Sequence, residues 1–196
     1  MPKVNKDKHK ELLDKKWKQL IEPKSIVIAI LISIPIMILT TFITIFLINI
    51  VSTISFEEFG INKSSIKISI NVIGIASVFF MVIIHELIHL ILIPNFIKSE
   101  KTIIGFSLFG GYVYSEEVIA KSRYIIISIT PYIIISIILP LVLGVLGLLN
   151  PIMKFLILVN AIASSVDILN FLLILFQVPS DAYLTSNGMT TYWKNA

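Results

Sequence analysis

Four long apolar stretches dominate the chain: Ser25–Val51, Ser69–Ile93, Tyr124–Leu149 and Pro151–Phe176. Each passes the roughly 20 residues that a helix needs to cross a hydrocarbon core of about 30 Å. The last two are separated by Asn150 alone, and Pro151 suits a helix start after a tight turn. A secretory signal is the rival reading of the first run. Its apolar region would be about 7–15 residues, followed by a small-residue cleavage site. The run is longer and no such site follows, so it predicts an uncleaved transmembrane helix.

Between the second and third runs the pattern changes. Thr102–Phe109, Gly110-Gly111 and Tyr112–Ser115 predict a β-hairpin with the glycine pair at its turn. In residues 1–24, Leu12, Leu13, Trp17, Leu20 and Ile21 fall at helical spacing among lysines. That suits an interfacial helix on an anionic leaflet; a solvated basic tail that sets topology is the alternative. The loop Ser52–Lys67 carries no usable motif. The expected fold is an all-α membrane protein: four transmembrane helices with a small cytosolic-side β-hairpin between helices 2 and 3. It divides into a basic tail (1–24), a helical bundle (25–177) and a C-terminal tail (178–196).

Composition narrows the class. Hydrophobic residues make up 56% of the chain and charged residues 14%, with a mean hydropathy of +0.94. Soluble domains carry nearer a quarter charged residues, and a disordered chain would hold far fewer aliphatics. A net charge of +4 that is not spread along a folded face argues against a nucleic-acid partner. With no cysteine there is no disulfide frame, thiolate metal site or cysteine nucleophile. The basic residues are unevenly placed. If the N-terminus is cytosolic, thirteen of the sixteen lie in inside segments and only Lys63, Lys67 and Lys154 outside. The positive-inside rule then puts both termini and the 94–123 loop in the cytosol.

Residues 85–89 read His-Glu-Leu-Ile-His. Four residues apart on a helix, the two histidines are about 6 Å apart in rise and about 40° in azimuth, so both imidazoles can meet one ion. Glu86 is placed to reach a metal-bound water rather than the metal. Zinc is the expected ion, with a third protein ligand and one open position. Glu86 would take a proton from the water and hand it to a leaving amine. A capped core histidine and a helical ion pair are the plainer reading. Ionisable groups inside an apolar helix are expensive, however, and usually functional.

His9 lies in the basic tail and is a poor third ligand. Counting inward from Ile70 and Met153, His85 and Asp167 fall at depths of about 22 and 21 Å on helices running the same way. Asp167 is therefore the expected third ligand, with a structural carboxylate as the alternative; Glu116, Glu117 and Asp181 are next in line. Asn160, Ser164 and Asp167 share one face of the fourth helix, with Asn170 a turn further. Asn160 could bind a substrate carbonyl, and Ser164 or Asn170 could orient the carboxylate. Equally, all three could be interhelical hydrogen-bonding glue.

HELIH at the cytosolic end of a membrane helix, with Asn-Ala-Ile-Ala-Ser-Ser-Val-Asp at 160–167, resembles the site-2 protease clan of intramembrane zinc metalloproteases. There the later helix usually runs on into Asp-Gly; here Asp167 is followed by Ile168. The chain more closely resembles a compact bacterial membrane family named "putative zincin peptidases". The resemblance covers roughly Ser69 to Gly188: HELIH, then GGYVY (110–114), KSRY (121–124), ITPY (129–132), SSVD (164–167) and VPSDAYLTSNG (178–188). It implies His85, His89 and Asp167 as zinc ligands, Glu86 as catalytic base, and a bacterial plasma membrane. The expected function is a zinc metalloprotease that cuts a peptide or membrane-protein substrate in or beside the lipid bilayer. The alternative is a non-catalytic metal-binding membrane protein, a scaffold or immunity-type factor. A transporter would need polar stripes on several helices, and only the fourth shows one.

Overall fold

The structure, a computed structural model, describes residues 4–62, 65–66, 72–107 and 110–196. A short helix, α1 (Lys6–Asp14), precedes four helical segments long and apolar enough to cross a membrane. These are α2 (Ile26–Val51), α3 (Val72–Leu92), a third over Lys121–Val145 and a fourth over Pro151–Gln177. The third divides into α4 (Lys121–Pro131), a π-helical stretch (Tyr132–Ile138) and α5 (Leu139–Val145). The fourth divides at Ser164 into α6 (Pro151–Ala163) and α7 (Ser165–Gln177). The positions 69–71 of the second expected run, with Lys63, Lys67 and the depth mark Ile70, lie outside the described residues.

Helix starts follow local chemistry. The Ser25 hydroxyl accepts from the Ile28 N–H at 3.3 Å, and Asn150 accepts from the Met153 N–H at 3.0 Å, with Pro151 following as the first helical residue. Prolines shape the third segment. Pro131 and Pro140 have no N–H, so the carbonyls of Ile127 and Ser136 lack their i+4 helical donors. The π-helical stretch lies between these prolines.

The bundle is apolar outside and polar within. Leu31, Ile38, Phe42, Phe46 and Ile50 of α2 are exposed, whereas Ser33, Thr40 and Thr44 are buried. That is the reverse of a helix packed in water and suits lipid, where small polar residues line helix contacts. Thr40 donates to the Ala161 carbonyl at 3.0 Å, and the hydroxyls of Ser33 and Ser165 meet at 3.2 Å. Four such helices are compatible with a multi-pass membrane protein.

The two ends of the bundle are closed differently. At one, Lys154 is buried and binds the Thr53 carbonyl and, at 2.9 Å, the Glu58 carboxylate. At the other, an antiparallel four-stranded sheet gathers distant parts of the chain. Its strands are β1 (Lys18–Gln19), β6 (Ile119–Ala120), β7 (Tyr183–Asn187) and β8 (Thr190–Lys194), in the order β1-β8-β7-β6. Leu20, Ile174, Val178, Ala182 and Leu184 form its core. Asn5, the cap of α1, exchanges hydrogen bonds of 2.9 and 2.8 Å with Asn187, which ties the tail to the sheet. Lys121 donates to the carbonyls of Leu175 and Val178 at 3.2 and 2.6 Å, and so caps the end of α7. The segment 178–196, expected as a tail, thus forms a hairpin that turns at Gly188-Met189, with Gly188 at φ +59°.

The remaining strands are the short pair β2 (Ile61–Asn62) and β3 (Ser65–Ile66), and the pair β4 (Thr102–Ser107) and β5 (Gly110–Ser115). The β4–β5 hairpin stands where the sequence places it, but its turn does not. Ser107 pairs with Gly110, so both glycines belong to β5 rather than to the turn; positions 108–109 lie outside the described residues. Gly111 is needed in the strand for a reason that lies in the site.

Candidate metal centre

The inward stripe of α3 is Met81, His85 and His89, one residue per turn. The two imidazoles sit edge to face, with centroids 4.9 Å apart and planes at 75°. Asp167, in the first turn of α7, presents Oδ2 to both: 3.2 Å from His85 Nε2 and 3.6 Å from His89 Nε2. A ligand atom from each of the three residues lies within 4.8 Å of the others, the one such group among the described residues.

The opposite face of each ring is fixed. His85 Nδ1 lies 2.8 Å from Asn160 Oδ1. The Asn160 amide NH2 donates to Ser136 Oγ at 2.9 Å and faces the Pro131 carbonyl at 3.4 Å. Its oxygen is therefore left to accept the His85 Nδ1–H. His89 Nδ1–H donates to the Ile127 carbonyl at 2.8 Å. With both Nδ1 atoms donating, a neutral ring at either position carries its lone pair on Nε2, the atom turned toward Asp167 Oδ2. A proton on Nε2 makes a hydrogen-bonded ion pair there; with the rings neutral, the three donor atoms converge on one point that a metal ion can take. Two imidazole nitrogens and one carboxylate oxygen, each ring held from behind, are a donor set that suits a divalent metal ion with one position left open.

Glu86 lies beside this point, against β5. A Cβ at Gly111 would fall 2.5 Å from Glu86 Cγ and 3.0 Å from Cδ, so only glycine lets the side chain nest on the strand. The Val113 amide also faces the Glu86 carboxylate. Across the hairpin from Gly111, Phe106 stacks on Phe79 of α3 at 5.3 Å. Phe79 and Glu86 are two helical turns apart, so the hairpin rests along one face of α3.

A cavity of about 500 Å³ opens here, lined by His85, Glu86, His89 and Asp167 and by every residue of β5. The Glu116 N–H to Lys101 carbonyl bond and the pair register set the alternation of the hairpin. By it, the main-chain groups of Gly111, Val113 and Ser115 point away from β4, toward an edge that pairs with no other strand among the described residues, where the Val113 N–H meets Glu86.

Of the other expected residues, Asn160 and Ser164 are fully buried and Asn170 is half-buried on the cavity wall. Asn160 holds His85, and Ser164 Oγ lies 3.4 Å from the Asn160 amide. Glu116 pairs with Lys8 and Tyr114, Glu117 accepts from Ser99 at 2.6 Å, and Asp181 is exposed; none joins the cluster. His9 contacts the Tyr192 hydroxyl at 2.6 Å.

Sequence reading did not single out Glu22, which lines the same cavity. Its carboxylate accepts the Thr191 N–H at 2.7 Å. Burial raises its pKa to about 7, partly offset by that bond. A carboxyl raised on folding weakens the folded state progressively once pH is high enough to ionise it in the unfolded chain while folding still holds it protonated. Stability from this group is full below about pH 4.5 and is lost as pH rises through about 7. Thermal midpoints of wild type should therefore fall between pH 5 and 7.5. Glu22→Gln, which keeps an acceptor for Thr191, should remove that part of the slope. Parallel melting profiles across this range would refute the assignment.

No curated protein and no solved structure matches the chain. Residues 78–183, more than half of the chain, match the family model described as "Putative zincin peptidase". That stretch carries His85, Glu86, His89, β5, Asn160 and Asp167, and the chain belongs to this family.

Proposed function

We propose that the protein is a zinc-dependent metallopeptidase that hydrolyses a peptide bond within or beside the membrane. One observation carries this reading: His85, His89 and Asp167 converge next to Glu86 in a cavity floored by an open strand edge. Zinc, when bound, supplies a Lewis acid that polarises a carbonyl and acidifies water. His85, His89 and Asp167 would hold it, with Asn160 and the Ile127 carbonyl fixing the two rings. Glu86 takes the proton of the attacking water and returns it to the leaving amine. An unwound substrate segment adds to the free edge of β5, where the main-chain groups of Gly111, Val113 and Ser115 are directed. That edge passes Glu86, so a strand laid on it brings its carbonyls past the centre. Both termini and the four-stranded sheet face the cytosol, in keeping with the distribution of basic residues.

The test is reconstitution. Protein in liposomes is incubated with a library of membrane-spanning peptides, after chelation and again after one equivalent of zinc, and products are read by mass spectrometry. New termini that appear with zinc and vanish with chelator are the expected result. Stoichiometric zinc binding with no cleavage across the library would leave the metal-binding reading and remove the peptidase.

A further inference from the structure

We infer that Pro131 is a positioning residue for the metal centre, through a carbonyl that it leaves free. In a regular helix the Ile127 carbonyl would accept from the N–H of residue 131. Pro131 has no N–H, and its ring disfavours the i−4 hydrogen bond sterically as well. The orphaned carbonyl is not left bare: His89 Nδ1–H, from the neighbouring helix, donates to it at 2.8 Å in a buried setting. A buried carbonyl without a partner is costly, so proline on α4 and histidine on α3 complete each other.

The consequence for the ligand is specific. A ring that donates from Nδ1 is fixed in the tautomer with a lone pair at Nε2, the atom turned toward Asp167. The proline thus sets both the rotation of the His89 ring and which nitrogen can bind metal. The ring has no second anchor on that nitrogen comparable to the Asn160 side chain that holds His85. Pro131 itself is fully buried, and its own carbonyl faces the Asn160 amide at 3.4 Å. One residue therefore touches the supports of both histidines, and Ile-Thr-Pro-Tyr at 129–132 gains a chemical meaning.

The inference rests on His89 being a metal ligand, and the experiment separates the two ideas. Pro131→Ala restores an N–H that competes for the Ile127 carbonyl. A carbonyl has two lone pairs, so the effect is weakening rather than loss: zinc affinity should fall roughly tenfold to a hundredfold, the range for groups that orient a ligand. Alanine favours a helix where proline does not, so the metal-free thermal midpoint should hold or rise. Weaker metal binding in a protein that is no less stable is a result that a merely structural proline would not give. Pro131→Gly carries the same N–H without alanine's helix preference and should show the same loss. Pro140→Ala is the control: it restores the i+4 donor to the Ser136 carbonyl, whereas Asn160 leans on the Ser136 hydroxyl, and should leave affinity unchanged. Wild-type affinity in Pro131→Ala, or an equal fall in Pro140→Ala, overturns the inference. His89→Ala is run beside them; wild-type affinity in that variant would overturn the ligand assignment and the inference with it.

Discussion

Glu86→Gln is expected to keep zinc and to lose hydrolysis by a factor of roughly 10² to 10⁴, the usual contribution of a general acid–base. The substitution keeps the length of the side chain and its nest against Gly111, where a Cβ would come within 2.5 Å of Glu86 Cγ. It removes only the ability to accept a proton. Metal affinity should hold because the ligands proposed above are His85, His89 and Asp167, the group that could hold a metal ion. Turnover of a cleaved peptide and zinc content are measured on the same preparation. Wild-type turnover would remove Glu86 as the base, and a large loss of zinc would make it a ligand.

Asp167→Asn is expected to weaken zinc binding by at least about 100-fold, as loss of an anionic ligand should exceed loss of a group that merely orients one. The carboxylate faces two Nε2 atoms at 3.2 and 3.6 Å. Without metal the carboxylate pairs with a protonated Nε2; an amide in the same place can still donate to a neutral one. The substitution would therefore keep a hydrogen bond in the metal-free form while offering only a neutral oxygen to the metal. An amide also costs less than a charge at this depth. The metal-free variant should melt no lower than wild type, and competition against a chromophoric chelator should show the loss of affinity. Wild-type affinity would place the third ligand elsewhere.

Much of this was legible in the chain, because the bilayer forces a strong signal. Backbone groups in lipid need internal partners, so four apolar runs of 25–27 residues leave few alternatives to helices. The approach of Asp167 to His85 followed from depth alone, since α3 and the fourth helix run the same way. The four-stranded sheet was harder to see. β1 and β6 are two residues each, too short for an alternating pattern. β7 and β8 carried a fair signal in Tyr183–Asn187, Gly188-Met189 and Thr190–Lys194, but it sits beside charged and polar residues that read as a tail. The hairpin turn was misplaced because a glycine pair marks turns in general. Here Gly111 serves the close approach of Glu86. Pro131 entered only as part of Ile-Thr-Pro-Tyr (129–132), and the partner of the Ile127 carbonyl shows what it does.

The pairing of Lys18 with Trp193 bears on when the molecule becomes complete. β1 is made before α2, and β8 after the fourth long helix. A chain still being made carries both histidines and Glu86 long before it carries Asp167. It cannot close the sheet until Thr190–Lys194 are translated. The metal centre proposed above and the sheet beside it are therefore both completed late, Asp167 first and β8 after it. A product cut off before Ser165 holds the HELIH helix but neither the carboxylate nor the hairpin of β7 and β8.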